Sequence, residues 1–272
     1  DKIILGGGSN ILLTQNIEGL VMHNKIQGIK IVQETKDDIL IDVGAGEIWD
    51  DLVEWSTERN LYGIENLSLI PGYVGAAPIQ NIGAYGVELK DVFEELEAIH
   101  LYDVQKKIFK KQDCKFSYRS SVFKKKFKNN FIITKVCIRL SKKKKINISY
   151  KSLKEKFHNI NPDNLTSQDI RDAVIKIRSS KLPDPKKIPN AGSFFKNPII
   201  NKSTLNTIIK QHPEIPIFTK KGEIKIPAAF LIEKANFKGF KNERCGVYEK
   251  HSLVLVNNKN ASGKEIMKLA QL

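Results

Sequence analysis

Two stretches of this 272-residue chain have residue types suited to bringing backbone close to a ligand. In GGGSN at 6–10, Gly6, Gly7 and Gly8 allow positive φ and can turn successive N–H groups toward an anion, while Ser9 and Asn10 add side-chain donors. The second stretch, SLIPGYVGAAPIQNIGAYG at 68–86, runs nineteen residues without a charge in a chain that carries 45 basic and 30 acidic residues. Its four Gly, three Ala and two Pro keep side chains small and fix the path, and no carboxylate is present to repel a phosphate. Ile70, Val74 and Ile79 offer apolar surface to a flat ring system. Two such loops on a strand-rich scaffold suggest a flavin dinucleotide. A tight hairpin turn would use GGGSN equally well. A buried irregular linker is the bland reading of the longer stretch, although it would leave many backbone polar groups to satisfy without a ligand. GGGSN does not open a helix as GxGxxG, so the fingerprint of the doubly wound dinucleotide fold does not apply.

The elements that must position these loops follow from periodicity. KIILGGGSNILL, GLVMHN, GIKIVQE and DILIDVGAG read as short strands, and EIWDDLVEWSTERN as a helix with Ile48, Leu52, Val53 and Trp55 at near-helical spacing. VFEELEAIHLYD and FIITKVCIRL are further strands, the second alternating Ile132, Thr134, Val136, Ile138 and Leu140 on one half-buried face. In LTSQDIRDAVIKIRSSKLPDP, Thr166 or Ser167 can cap a helix whose inner face is Ile170, Val174 and Ile177 and which Pro183 stops. Beyond it come a Ser203-capped helix, a helix starting at Pro227, a strand in HSLVLVN, and a last helix with Ser262 and Glu265 at capping-box spacing. A domain boundary is expected near residue 182.

Composition narrows the function class. Hydrophobic content of 41% and aromatic content of 8% describe an ordinary globular protein, and no run approaches the ~18 apolar residues of a membrane span. No secretory leader is visible, so a cytoplasmic chain is expected, and the non-Met start suggests trimming. Cys114, Cys137 and Cys245 are widely spaced, without metal-ligand or disulfide patterning, and read as reduced, non-catalytic residues; no metal site is expected. The net charge of +15 invites a nucleic-acid reading, but only six of the 45 basic residues are Arg, where a phosphate reader would favour Arg forks. The Lys runs at 124–128 and 142–145 fall where loops are expected and read as solvated turns.

GGGSN, ENLSLIPGYVGAAPIQNIGAYGVEL, FSYRSSVFK, RSSKLPDP and NAGSFFKNP, in that order and over nearly the whole chain, resemble the UDP-N-acetylenolpyruvoylglucosamine reductase family. The resemblance implies an α+β protein, a two-part FAD-binding region of the PCMH type followed by a smaller α+β substrate-binding domain. It divides the chain at 1–26 and 27–182 for the two FAD-binding sub-domains and 183–272 for the substrate domain. It implies NADPH-dependent, FAD-mediated reduction of UDP-N-acetylglucosamine enolpyruvate to UDP-N-acetylmuramate in peptidoglycan precursor synthesis, by a cytoplasmic monomer with no nucleic-acid or membrane partner. Gly6, Gly7, Gly8, Ser9, Asn10, Ile70, Pro71, Gly72, Gly75, Ala76, Ile79 and Gly83 are expected at the flavin, with Arg178 near its phosphates. Arg119 matches the arginine that clamps the pyruvyl carboxylate, and Ser193 the serine that delivers the proton. Tyr85, Tyr150, Lys181 and Asn197 match positions that contact the substrate or support the acid. Read alone, Arg119 could be a structural ion pair and Ser193 a turn serine.

Two departures from the family pattern stand out. A catalytic glutamate, in a motif like LEPEVR, is expected near the family's C-terminus, and this sequence reaches Leu272 before that motif could occur. Both end domains therefore read as incomplete. Phe218 stands where members with the longer C-terminal domain place a tyrosine over the sugar nucleotide. The competing readings are a related flavoprotein oxidase, which leaves the Arg119 and Ser193 motifs unexplained, a catalytically degenerate flavin- or UDP-sugar-binding protein, and a basic RNA-binding module.

Overall fold

A computed structural model describes residues 2–220 and 222–272. By contact the chain divides into two compact units: residues up to Ser9 with Ile17–Arg178, and Asn10–Asn16 with Ser179–Leu272.

The first unit opens with β1 (Lys2–Leu5), which pairs in parallel with β2 (Leu20–His23). Then follow β3 (Ile29–Glu34), β4 (Asp38–Gly44), α1 (Trp49–Glu58), β5 (Gly83–Ala84), β6 (Val87–Glu88), β7 (Phe93–His100), β8 (Lys106–Lys110), β9 (Phe131–Ser141), α2 (Lys151–Lys156) and α3 (Ser167–Lys181), whose residues from Ser179 on are grouped with the second unit. Five of these strands form an antiparallel sheet in the order β3-β4-β9-β7-β8.

As the middle strand, β9 is more deeply buried than its alternation predicts. Glu97 of β7 pairs with Lys135 while Ala98 pairs with Ile133, which leaves Thr134 as an extra, bulged residue. Its hydroxyl donates to the Glu97 carbonyl at 3.1 Å and to Glu97 Oε1 at 3.0 Å. The bulge shifts the alternation, so Ile133 joins Val136, Ile138 and Leu140 in the core while Ile132 is only partly buried.

Helix α1 also departs from its expected face. Ile48 is the extended N-cap, bridged to Tyr73, and its side chain is exposed. The helix therefore starts at Trp49, and the buried face is Trp49, Leu52, Val53 and Ser56, at i, i+3, i+4 and i+7. Helix α3 forms as expected, with Thr166 Oγ1 accepting from the Asp169 N–H at 3.1 Å and Ile170 and Val174 inside.

The Lys run at 142–145 is a loop tied to the chain's own acceptors: Lys142 pairs with Glu34 at 2.6 Å and Lys143 with Asp37 at 2.7 Å. All three cysteines are buried and free. Burial pushes the Cys114 and Cys137 thiols up to about 12, so neither supplies a thiolate at neutral pH.

The second unit holds β10 (Asn190–Ser193), β11 (Ile199–Ile200), α4 (Lys202–Gln211), β12 (Phe218–Lys220), β13 (Glu223–Lys225), α5 (Ala228–Lys234), β14 (Cys245–Val247), β15 (Val254–Asn257) and α6 (Gly263–Gln271). Two three-stranded sheets result, β10-β15-β14 and β11-β13-β12. Helix α6 begins with the expected capping box, Ser262 Oγ accepting from the Glu265 N–H and Glu265 Oε2 accepting from the Ser262 N–H. Helix α4 is capped by Asn201, not Ser203: the Asn201 side chain accepts from the Thr204 N–H at 2.8 Å, and Ser203 already lies in the first turn. The segment after GGGS belongs to this unit. Leu12 packs on the cluster around Cys245, Leu255 and Ile266, and a Cβ at Gly263 would collide with the Leu13 carbonyl, so only glycine lets α6 start there.

Candidate active site

The uncharged loop at 68–86 is fixed to the end of β4 and the start of α1. Trp49 N–H donates to the Gly72 carbonyl at 3.0 Å, Val74 N–H to Glu47 at 2.9 Å and Gly75 N–H to Ala45 at 2.9 Å. Asp50 accepts from the Leu69 N–H at 2.5 Å and forms a bidentate pair with the buried Arg171 of α3 at 2.7 and 3.2 Å. Against this loop lies Gly6–Ser9. A Cβ on Gly7 would sit 3.2 Å from Gly72 Cα, and one on Gly72, whose φ is +113°, would sit 2.8 Å from Ser9 Oγ. Gly8, at φ +68°, has no other atom within 4 Å of where a Cβ would be. Two glycine loops thus meet backbone to backbone, with small or apolar neighbours at Ile70, Pro71, Ala76 and Ile79. Val74 does not line this surface as expected; it is 1% exposed and serves the core. Asn10 is grouped with the second unit, so the GGGSN motif is divided after Ser9.

The turn ahead of the loop is buried as well. Glu65 is 2% exposed and accepts from the Gly63 N–H at 2.6 Å. Burial raises its carboxyl above the ordinary 4.5, and backbone N–H donors offset only part of that. The folded chain therefore holds this proton more tightly than the unfolded one. The corresponding stability is fully present below about pH 4.5 and is lost as pH rises through the raised value. Glu65→Gln is expected to gain in Tm relative to wild type as pH rises from acidic to neutral, and thermal unfolding across that range checks it; a pH-independent Tm difference would contradict the assignment.

At the end of the loop, β5 and β6 pair Gly83 with Glu88 and Ala84 with Val87 around a two-residue turn, Tyr85 (φ +47°) and Gly86 (φ +88°). Positive φ at both positions is the type I′ hairpin geometry, strained for tyrosine. The turn is held from outside: Asn66 Nδ2 donates to the Tyr85 carbonyl at 2.9 Å and to the Asn147 carbonyl at 2.8 Å. Tyr85 packs edge-on to Tyr150 at 5.1 Å and is hydrogen-bonded to Arg178. Burial raises the Tyr85 phenol and, more strongly than Tyr85 opposes it, lowers the Arg178 guanidinium. Among the described residues, Arg178 Nε and Asn66 Oδ1 are buried polar atoms without a protein partner.

Arg119 also has left-handed backbone, φ +51°, in a turn where Ser117 and Ser120 exchange hydrogen bonds. Its guanidinium donates to the Gly83 carbonyl, lies 3.8 Å from Glu88 Oε1, and sits over the Tyr118 ring at 5.2 Å. A Cβ on Gly83 would come within 2.8 Å of Arg119 Nη1, so glycine is required for the guanidinium to reach the hairpin.

The remaining expected residues lie in the second unit. Ser193 ends β10, opposite Val254, and is exposed. The strand is irregular just before it: Gly192 has φ +60° and donates to Asn190 Oδ1 at 2.9 Å. Phe194 N–H donates to the Leu253 carbonyl at 2.8 Å, and Phe194 and Phe195 pack into the Cys245 cluster. In GSFF, therefore, two aromatics anchor the segment while the hydroxyl stays at the surface. Asn197 Oδ1 accepts from the Ala228 N–H at 3.0 Å and so fixes the start of α5. Lys181 is the exposed last residue of α3, and Phe218 is exposed at the start of β12. Within the first unit the structure brings together Tyr85, Tyr150 and Arg178, and Gly83 with Arg119; Ser193 and Phe218 stand on different sheets of the second. Glu88 and Asn66 are functional candidates the sequence reading missed. The two-residue turn in GAYGVE was the available signal, since its register sets Glu88 opposite Gly83.

Comparison with known proteins decides the family. The chain is 46% identical over 272 residues to the UDP-N-acetylenolpyruvoylglucosamine reductase of Flavobacterium johnsoniae, an alignment covering 99% of this chain and 81% of that protein. The chain belongs to the UDP-N-acetylenolpyruvoylglucosamine reductase family. Proteins of the same name from Amoebophilus asiaticus, 46% identical over 99% of this chain and 80% of theirs, and Pseudomonas aeruginosa, 42% over 99% and 79%, agree. Residues 2–103 match the family model described as FAD binding domain, and 184–272 the one described as UDP-N-acetylenolpyruvoylglucosamine reductase, C-terminal domain. The crystal structure of the reductase from Thermus caldophilus has the same fold, with a TM-score of 0.69 at 23% identity over 99% of this chain and 79% of that one. In this family member the residues fit a flavin dinucleotide: the glycine loop at Gly6–Ser9 meets an uncharged loop backbone to backbone, Gly8 leaves open space where a Cβ would be, and the buried Arg178 Nε has no partner among the described residues. Among the described residues no helix is long and apolar enough to cross a membrane, and no group of three or more His, Cys, Asp or Glu could hold a metal.

Proposed function

We propose that the chain catalyses NADPH-dependent, FAD-mediated reduction of UDP-N-acetylglucosamine enolpyruvate to UDP-N-acetylmuramate, in the cytoplasm, for peptidoglycan precursor synthesis, as a monomer. The observation that carries this reading is the Arg119 guanidinium held against Gly83 and Glu88, at the end of the same uncharged segment whose Gly72 meets the Gly6–Ser9 loop. Residues 1–26 and 27–182 are proposed as the two parts of the flavin-binding region, with Gly6–Ser9, Gly72, Gly75 and Gly83 at the cofactor, and 183–272 as the substrate domain. The chemistry FAD supplies when bound is hydride transfer from NADPH to the terminal carbon of the enolpyruvyl ether.

This chain's own residues handle the charge and the proton. Arg119 holds the pyruvyl carboxylate, on which negative charge grows during reduction, with a planar fork that matches both oxygens. Ser193 presents a neutral hydroxyl at the end of β10 and delivers a proton to the carbon that bears the ether oxygen. Tyr85, Tyr150, Lys181 and Asn197 contact the substrate or support the acid. Arg178, whose buried Nε has no partner among the described residues, is proposed to face an anionic group of the cofactor or substrate.

The test is anaerobic: FAD-loaded protein is reduced with NADPH and mixed with the enolpyruvyl UDP-sugar. Rapid flavin reoxidation with product formation is expected, whereas flavin that binds and reduces but stays reduced would overturn the reading. Phe218, exposed on β12, keeps a stacking face without a hydroxyl. Phe218→Tyr is expected to tighten the substrate Kd by the ~0.5–1.5 kcal/mol of one added hydrogen bond. An unchanged Kd would remove Phe218 from the site.

A further inference from the structure

We infer that Glu88 is a positioning residue for Arg119, setting the direction of the guanidinium during reduction of the substrate. This inference rests on the assignment of Arg119 as the carboxylate clamp. Gly83 and Glu88 face each other on one rung of the hairpin, and Arg119 meets both: one end of its fork donates to the Gly83 carbonyl, and the other lies 3.8 Å from Glu88 Oε1. The other oxygen of Glu88 is held by Lys90, and the Glu88 N–H donates to Asp91 Oδ2 at 2.8 Å. The carboxylate is therefore fixed from its own side, with a side chain only 18% exposed, while Arg119 is the more accessible partner at 30%.

The distance matters for what Glu88 does. At 3.8 Å the pair is an ion pair and not a hydrogen bond, so Glu88 directs the fork without consuming its N–H donors. One carboxylate also stands between two cations. Replacing it by glutamine leaves Arg119 and Lys90 uncompensated, which favours ground-state binding of a substrate carboxylate, and at the same time frees the fork to turn away from the reacting geometry. Affinity and limiting rate should then move in opposite directions. A purely structural salt bridge would not produce that result, because losing it would degrade both together.

The experiment uses FAD-loaded protein reduced with NADPH, mixed anaerobically with the enolpyruvyl UDP-sugar over a concentration series, for wild type, Glu88→Gln, Glu88→Asp, Arg119→Lys and the Glu88→Gln/Arg119→Lys double variant. Glu88→Gln is expected to lower the limiting reoxidation rate about tenfold, as small misplacements of a clamp do, with a smaller substrate Kd and unchanged flavin reduction by NADPH. In the Arg119→Lys background the same change should alter the rate less than twofold, since there is no fork left to aim. A wild-type limiting rate in Glu88→Gln, equal losses in both half-reactions, or full additivity with Arg119→Lys would overturn the inference. If Arg119→Lys slows reoxidation while Glu88→Gln does not, only the role of Glu88 fails; if Arg119→Lys itself is silent, the clamp assignment fails and this inference with it. Should glutamine prevent folding, Glu88→Asp carries the test: it withdraws the carboxylate by one methylene, and a limiting rate equal to wild type would again overturn the assignment.

Discussion

Ser193→Ala is expected to slow reoxidation of reduced flavin by the enolpyruvyl UDP-sugar by at least ~10²-fold while leaving flavin reduction by NADPH intact. The structure makes this substitution clean. Ser193 pairs with Val254 through its backbone, and the neighbouring Phe194 and Phe195 supply the packing that holds the segment. Alanine keeps all of that and removes only an exposed hydroxyl. If the hydroxyl is the proton donor, the loss falls on the step that completes the new C–H bond, so product formation should slow with flavin reoxidation. Stopped-flow absorbance of the flavin, with the two half-reactions run separately, makes the measurement. An equal loss in both would reassign Ser193 to structure.

Local signals in the sequence carried much of the fold. The capping box at Ser262 and Glu265, the Thr166 cap of α3 and the apolar face Ile170–Val174 each depend on residues within about a turn of one another. Where a cap had close competitors the reading slipped: Asn201 and Ser203 are both good N-caps, and only the start of the helix decides between them. The bulge at Thr134 was not legible because it depends on pairing with Glu97, 37 residues away. The site shows the same division. Both glycine loops were legible because glycine and the absence of charge are compositional facts, whereas their face-to-face contact at Gly7, Gly72 and Ser9 is a tertiary one. Arg171 looks like any other helical arginine in sequence, yet it is buried and locks α3 to α1 through Asp50, 121 residues away. The left-handed backbone of Tyr85 and Arg119 runs against the preference of both residue types, and it marks the turn of the hairpin and the separate turn whose guanidinium meets it.

Arg119→Lys is the second change expected to cost at least ~10²-fold in the substrate half-reaction, the scale of losing a preorganised charge-stabilising donor. Lysine keeps the positive charge and tolerates φ +51° no worse than arginine, so folding and the attraction of a carboxylate to the site should largely survive. What lysine cannot do is span the hairpin: the guanidinium donates to the Gly83 carbonyl with one arm while the other stands beside Glu88, and the fork is oriented by both. An ammonium is a single point with freely rotating donors, unable to meet two carboxylate oxygens in one plane. Because charge on the carboxylate grows as reduction proceeds, the missing geometry matters more in the transition state than in the bound ground state. The expected signature is therefore a limiting reoxidation rate lowered by at least ~10², a substrate Kd changed much less, and unchanged reduction of the flavin by NADPH. A limiting rate within twofold of wild type would show that charge alone suffices, and would reduce Arg119 to an ion pair that ties its turn to the hairpin.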